Sequence, residues 1–208
     1  MESVAIHDKP VSKKKKIPTY LVKEEFDGIL LFYKGYKEVL KGTKKLEDIM
    51  PSSGIRALIV TYLTLLLGTR LDLKLYRVLT GEVGNITGSK KKSGLDVAIF
   101  EKRILTPDKI NRHFTLVPPK IVLEVDVDVE SENLTQEEII HLRTRKLLES
   151  GAEKIIWIFT LSQMIMVAER DKDWLTFGWN RDVEILDGIT FNIADYLAEE
   201  GIDAGSLI

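Results

Sequence analysis

Carboxylates recur at two-residue spacing near the middle of the chain. In the stretch Pro118 to Glu130, Glu124, Asp126, Asp128 and Glu130 alternate with Leu123, Val125, Val127 and Val129. A period of two is the signature of a strand that buries one face. Ile121 and the four apolar residues after it would commit that face to a core. On the other face, carboxylates two apart lie ~7 Å from each other. When ionised they repel unless a cation or water screens them. Taken alone, the pattern suits a solvated outer face first, and a divalent-metal site is the sharper alternative.

Asp96 is a second acidic feature. It sits inside the apolar run Leu95 to Phe100, where an ionised carboxylate is costly unless it is paired or bound to a metal. An exposed strand start after Gly94 is the plainer alternative. Glu82, in the glycine-containing stretch before Asp96, is a third; a solvated turn suits it as well. Magnesium is commonly held by one or two protein carboxylates, with water and substrate phosphate completing the octahedron. Asp96 and Glu124 on neighbouring strands would supply such a pair. A bound ion there would neutralise a phosphodiester and activate a water molecule. A nearby cation would then stabilise the charge that develops. Arg143 and Lys146, three apart, share one face of the helix expected after the acidic strand, although ordinary surface charge near a helix end reads the same way. Lys90, Lys91 and Lys92 precede Asp96 and would meet phosphates if Asp96 lies at a site; a solvated loop is the alternative.

The elements that must position these residues follow from the pattern along the chain. Residues 1–20 are polar, with a four-lysine run at 13–16, and read as an arm ahead of one domain over residues 21–208. Leu21 to Tyr36 has the look of a hairpin turning near Asp27-Gly28, with a short helical turn at 36–40. Ser52-Ser53-Gly54 opens a mostly buried helix over 55–67 that Gly68 would end. Strands are expected at 73–79 and 95–100, with a bend over 80–85 between them. Thr135 should cap a helix over 136–149 that stops at Gly151. Lys154 to Thr160 has the continuous apolar character of a central strand, and 163–169 is its hairpin partner. Short strands follow around Asp187-Gly188, then a helix capped by Asn192. The order predicts a mixed α/β fold with one sheet between helices.

Composition narrows the function classes. The chain has 208 residues, 44% hydrophobic and 30% charged, and a net charge of −2, which argues against coating nucleic acid by bulk electrostatics. The absence of cysteine removes disulfides, thiolate metal sites and cysteine nucleophiles and suits a reducing cytoplasm. Three histidines far apart in sequence speak against a histidine-rich zinc site. The longest apolar run, Ile55 to Leu67, is broken by Arg56 and Thr61 and falls short of a membrane span. A soluble, cytoplasmic protein is expected.

Taken in order, three segments resemble the PD-(D/E)XK nuclease superfamily and, more narrowly, the Uma-type restriction endonucleases. The first is Ser93-Gly94-Leu95-Asp96-Val97-Ala98-Ile99, matching a strand that carries the aspartate. The second is Val117-Pro118-Pro119-Lys120-Ile121-Val122-Leu123-Glu124-Val125, matching a proline followed by an apolar strand ending in glutamate. The third runs from Arg143 to Ile158 and matches a lysine-bearing helix, a glycine and a strand with tryptophan. The resemblance spans roughly residues 20–200, and it rests on order and spacing rather than on any single motif. It implies a restriction-endonuclease-like α/β fold and a Mg²⁺- or Mn²⁺-dependent DNA endonuclease acting as a homodimer. Asp96 and Glu124 would bind metal, with Asp126 and Glu82 as auxiliary ligands. Lys146 or Arg143 would position water or phosphate. Two departures stand out: Leu95 replaces a proline, and Asp126 stands where the literal signature has lysine. Counting back from Gly151 puts the helix lysine position at Arg143, which keeps its proton at neutral pH. A non-catalytic module on the same scaffold, binding nucleic acid or a protein partner, is the competing class.

Overall fold

The computed structural model describes residues 17–26, 28–85, 93–113 and 115–207. Most of the expected N-terminal arm and the Lys90–Lys92 run lie outside the described residues, as does the side chain of Glu82.

A six-stranded mixed sheet forms the centre. Its strands are β3 (Tyr76–Asn85), β4 (Ser93–Glu101), β5 (Ile121–Val125), β7 (Lys154–Phe159), β8 (Met164–Glu169) and β9 (Leu175–Gly178), adjacent in that order. Only β5 and β7 run parallel; all other neighbours are antiparallel. The parallel pair requires a crossover, and the helix α3 (Gln136–Ser150) provides it. Thr135 begins α3 with a capping box: its hydroxyl accepts from Glu138 N, and the Glu138 carboxylate accepts from Thr135 N. Gly151 ends it at φ 126, where a Cβ would meet Pro118 at 2.9 Å.

Two apolar layers cover the sheet. On one face, Ile59, Leu63 and Leu67 of α2 (Gly54–Arg70) pack on Val97, Ile99, Leu123, Val125, Ile156 and Ile158. The same layer includes the hairpin β10 (Val183–Leu186) and β11 (Ile189–Phe191) and the helix α4 (Ile193–Glu199). On the other face, Ile139 and Leu147 of α3 join Ala98, Phe100, Val122, Ile155 and Trp157. Phe26 and Leu31 reach this layer from the hairpin of β1 (Val22–Phe26) and β2 (Ile29–Tyr33). A short helix α1 (Tyr36–Leu40) follows that hairpin.

Several boundaries differ from the sequence expectation for identifiable reasons. Helix α2 runs through Gly68 to Arg70, since a helical glycine costs only about 1 kcal/mol, and Leu65 on its outer side is exposed. The expected bend over 80–85 is instead part of β3, absorbed by a register shift between Thr80 and Val83 with Gly81 at φ 82. Among the described residues the strands form three sheets, not one, because the β1–β2 hairpin and the hairpin of β10 and β11 belong to sheets of their own. The acidic strand also departs from its pattern. β5 is buried at all five positions and stops at Val125. Asp126 takes a left-handed backbone at φ 61, and the chain then pairs with β2 as β6 (Val129–Glu130). The alternation therefore describes two strand pieces in two sheets, and neither presents a solvated acidic face.

Candidate active site

The register between β4 and β5 pairs Val97 with Leu123, and one step further sets Asp96 beside Glu124. Glu124, between Leu123 and Val125 of the α2 layer, points away from that layer, whereas Asp96, between Leu95 of the α3 layer and Val97 of the α2 layer, turns its carboxylate to Arg56 of α2. Cross-strand neighbours have Cβ atoms ~5 Å apart. Asp96 is 7% exposed and Glu124 2%. The two residues thus lie at one end of the sheet, and the charge of Asp96 is felt at Glu124.

Helix α3 delivers the cation. Arg143, 2% exposed, lies with its guanidinium 5.5 Å from the Trp157 ring centroid. Its Nη2 is 3.5 Å from Glu124 Oε1 and 3.5 Å from the Gly94 carbonyl. The indole Nε1 of Trp157 donates to Thr144 Oγ1 at 2.8 Å, which fixes the ring that Arg143 lies over. Burial opposes the arginine's charge, but Glu24, Glu124, Asp128 and Asp96 together hold its proton more firmly than usual. Arg143 therefore stays cationic. Lys146, one turn later, is bonded to Glu149 at 2.9 Å near the helix end. Of the two basic residues predicted for the site, the fold brings Arg143 to the carboxylates.

Burial pushes the proton affinity of Glu124 well above the ordinary carboxylate range. Arg143 works against that shift, while Asp96, Glu24 and Asp128 add to it. Several negative charges thus crowd a dry space.

Asp96 is held at both oxygens. Oδ2 accepts from Val125 N at 2.9 Å and Oδ1 from Arg56 Nη2 at 2.7 Å. Arg56 sits in the first turn of α2, whose cap Ser53 accepts from the Arg56 amide. Its other nitrogen, Nη1, donates to Asp128 Oδ2 at 2.5 Å, and Lys23 of β1 binds the same Asp128 oxygen. These two cations outweigh burial and lower the Asp128 carboxyl to about 2. The left-handed break at Asp126 makes this possible, since it carries the chain from the main sheet into the hairpin sheet. The Asp126 carboxylate itself turns to Thr160, accepting from its amide at 2.7 Å and its hydroxyl at 2.6 Å. The auxiliary ligand expected at Asp126 is therefore engaged as a backbone brace.

Three participants, Glu24, Lys23 and Arg56, are given no site role by the sequence, and Asp128 reads there only as part of an acidic strand face. Glu24 occupies the same phase as the buried Phe26 on β1, and that shared phase is the signal for an inward carboxylate. Arg56 is the one charge in the apolar run 55–67, in a first helical turn where the dipole disfavours a cation. That misfit signals a carboxylate partner.

The donor set has the oxygen chemistry that suits a hard divalent ion, two carboxylates at one end of the sheet, each facing an arginine: Asp96 meets Arg56 and Glu124 meets Arg143. Among the described residues no group of three or more histidine or acidic side chains is arranged to hold a metal. The set is a pair, the number Mg²⁺ needs when water and phosphate fill the rest.

The architecture is a nuclease-like α/β fold. In comparison with solved structures, the chain matches a crystal structure described as "a putative nuclease belonging to DUF820" from Anabaena variabilis, with a TM-score of 0.62 and 13% sequence identity. The match covers 86% of this chain and 92% of that one. At that identity the likeness concerns the fold. No family model matches the sequence, and no curated protein matches it. Among the described residues no helix is long and apolar enough to cross a membrane.

Proposed function

We propose that the protein is a Mg²⁺-dependent endonuclease that hydrolyses phosphodiester bonds in DNA, with Mn²⁺ able to replace Mg²⁺. The observation that carries this reading is the pairing of Asp96 and Glu124 across adjacent strands, with the buried Arg143 beside Glu124. These two carboxylates would hold the ion, and Glu24, whose charge acts on Glu124, would serve as an auxiliary ligand. When bound, the ion supplies charge neutralisation at phosphorus and a water of lowered pKa. Arg143 keeps its proton, so it acts by holding charge in place and orienting the attacked phosphate, and proton removal falls to another group. Lys146 would need to leave Glu149 to share that task. A homodimer would present two such sites to the two strands.

The test is nicking of supercoiled plasmid in Mg²⁺ or Mn²⁺ by the wild type, Asp96→Ala and Glu124→Gln. Metal-dependent nicking by the wild type alone supports the reading. If none of the three nicks DNA and Asp96→Ala leaves Mn²⁺ binding unchanged, it fails. The second reading, a nuclease-like module that binds nucleic acid or a protein partner without cutting, draws on Arg56 and Arg143, which already compensate both carboxylates. DNA binding without nicking in any divalent metal would favour it.

A further inference from the structure

Arg56 stands in an unusual position. Its guanidinium spans two carboxylates from different sheets, Asp96 of the central sheet at 2.7 Å and Asp128 of the segment leading to β6 at 2.5 Å. The Arg56 side chain is 11% exposed. Asp96 has two oxygens: the backbone of Val125 takes one and Arg56 the other. A divalent ion placed at Asp96 and Glu124 needs lone pairs at Asp96 and meets a fixed positive charge beside it. At the contact distances involved, the guanidinium and the ion cannot approach the same oxygen without strong repulsion.

The opposite side of Arg56 is open. A cavity of about 410 Å³ lies there, lined by Arg56, Lys23, Lys34, Ser53 and Asp128 among others. Asp128 keeps a hold on the guanidinium from that side, and Lys23 holds Asp128. Arg56 thus has somewhere to go when it leaves Asp96, and an anchor that keeps it close.

We infer that Arg56 is a positioning residue that competes with the divalent ion for Asp96, so that metal loading requires Arg56 to shift toward the Asp128 cavity. This inference rests on the metal-site reading of Asp96 and Glu124. In the metal-free protein Arg56 supplies the hydrogen bond that holds the Asp96 carboxylate in its orientation. In the loaded protein the ion takes over that role, and the released guanidinium faces a cavity able to admit a phosphate. The arrangement makes metal affinity a property of α2 as much as of the carboxylates.

The test measures Mn²⁺ alone, by calorimetry and by the paramagnetic signal of the free ion, with wild type, Arg56→Gln, Arg56→Lys and Asp96→Asn. Removing the competitor in Arg56→Gln is expected to tighten Mn²⁺ binding by about tenfold, the change that about 1.4 kcal/mol of lost competition produces. Arg56→Lys keeps the charge but has no fork to span both carboxylates, so its affinity falls between the two. That variant also serves if Arg56→Gln does not fold, a point that thermal melting without metal decides. A merely structural Arg56 would lower the melting temperature and leave Mn²⁺ affinity equal or weaker, and that result overturns the inference. If wild type and both Arg56 variants bind Mn²⁺ equally while Asp96→Asn abolishes binding, the competition is refuted and the metal site stands. If no variant shows Asp96-dependent binding, the metal-site reading falls and takes this inference with it.

Discussion

Replacing Arg143 with methionine isolates the energetics of the buried site. The side chain is 2% exposed and is the cation nearest to Glu124. Methionine fills much of the same space and still packs on the Trp157 ring, so the change mainly removes charge. Breaking a buried pair by taking away one partner costs about 3–5 kcal/mol in general. Here a ceiling applies, because Glu124 can accept a proton instead of remaining an uncompensated anion. From its ordinary value of 4.5, protonation at pH 7 costs about 3.4 kcal/mol, at about 1.36 kcal/mol per pH unit. The wild type already bears part of this, since burial raises Glu124 even with Arg143 present. The expected loss at pH 7 therefore lies below about 3 kcal/mol. The sign with pH follows from the direction of the shift. A carboxyl raised in the folded state adds stability below its unfolded value, and that stability is lost as pH rises through the folded value. Removing Arg143 raises Glu124 further, so the variant's deficit shrinks on acidification, its ceiling falling to about 1 kcal/mol at pH 5.5. Urea unfolding followed by tryptophan fluorescence at pH 7 and 5.5 measures both numbers. Arg143→Lys retains the charge and should keep the wild-type pH dependence. A deficit that is negligible at pH 7, or the same at both pH values, would refute the reasoning.

Asp128 makes the opposite pH prediction. Its carboxyl is lowered from 3.8 to about 2 by Arg56 and Lys23 acting against burial, so its stabilisation is present above pH 3.8 and lost as pH falls toward 2. Asp128→Asn should be less stable than wild type by about 2 kcal/mol at pH 5, with the urea midpoints converging near pH 2; a gap that persists there contradicts the ion-pair account. For Asp126, alanine should cost about 2–3 kcal/mol through the left-handed backbone and two lost hydrogen bonds, whereas Asp126→Asn keeps most of the stability. Neither should change Mn²⁺ affinity, and loss of metal binding by folded Asp126→Ala would restore Asp126 as a ligand.

Much of the scaffold was legible because local chemistry and tertiary context agree. Thr135 and Gly151 mark the ends of α3, Ser53 and Asn192 cap the helices expected at their positions, and the apolar run at 154–159 is the central strand it resembles. The burial of Asp96 was legible for a related reason, since a carboxylate in a strongly apolar run is conspicuous, whereas Glu124 stood out from its acidic neighbours only through the family resemblance. The strand through Glu130 was misread because period two survives a break. Asp126 interrupts the strand while Val127 and Val129 still fall in phase, so alternation alone cannot tell one strand from two. Lys23, Glu24, Arg56 and Asp128 were hidden for a different reason. Their meaning comes from contacts between segments, 72 positions apart for Arg56 and Asp128, and no local pattern encodes such a meeting.

The left-handed turn at Asp126 has a consequence for how the chain can vary. Glu124 is anchored in the central sheet between β4 and β7, and Glu130 is anchored to Phe32 in the hairpin sheet. The residues between them behave as a spacer of fixed gauge strung between two separately built bodies. One residue more or fewer there would move Asp128 off Arg56 and Lys23 without disturbing either body. The turn at 161–162 connects a simple hairpin and faces no such demand. Insertions and deletions should therefore be tolerated around the sheet's outer turns and excluded from a span of only a few residues, where chain length itself carries the geometry of the site.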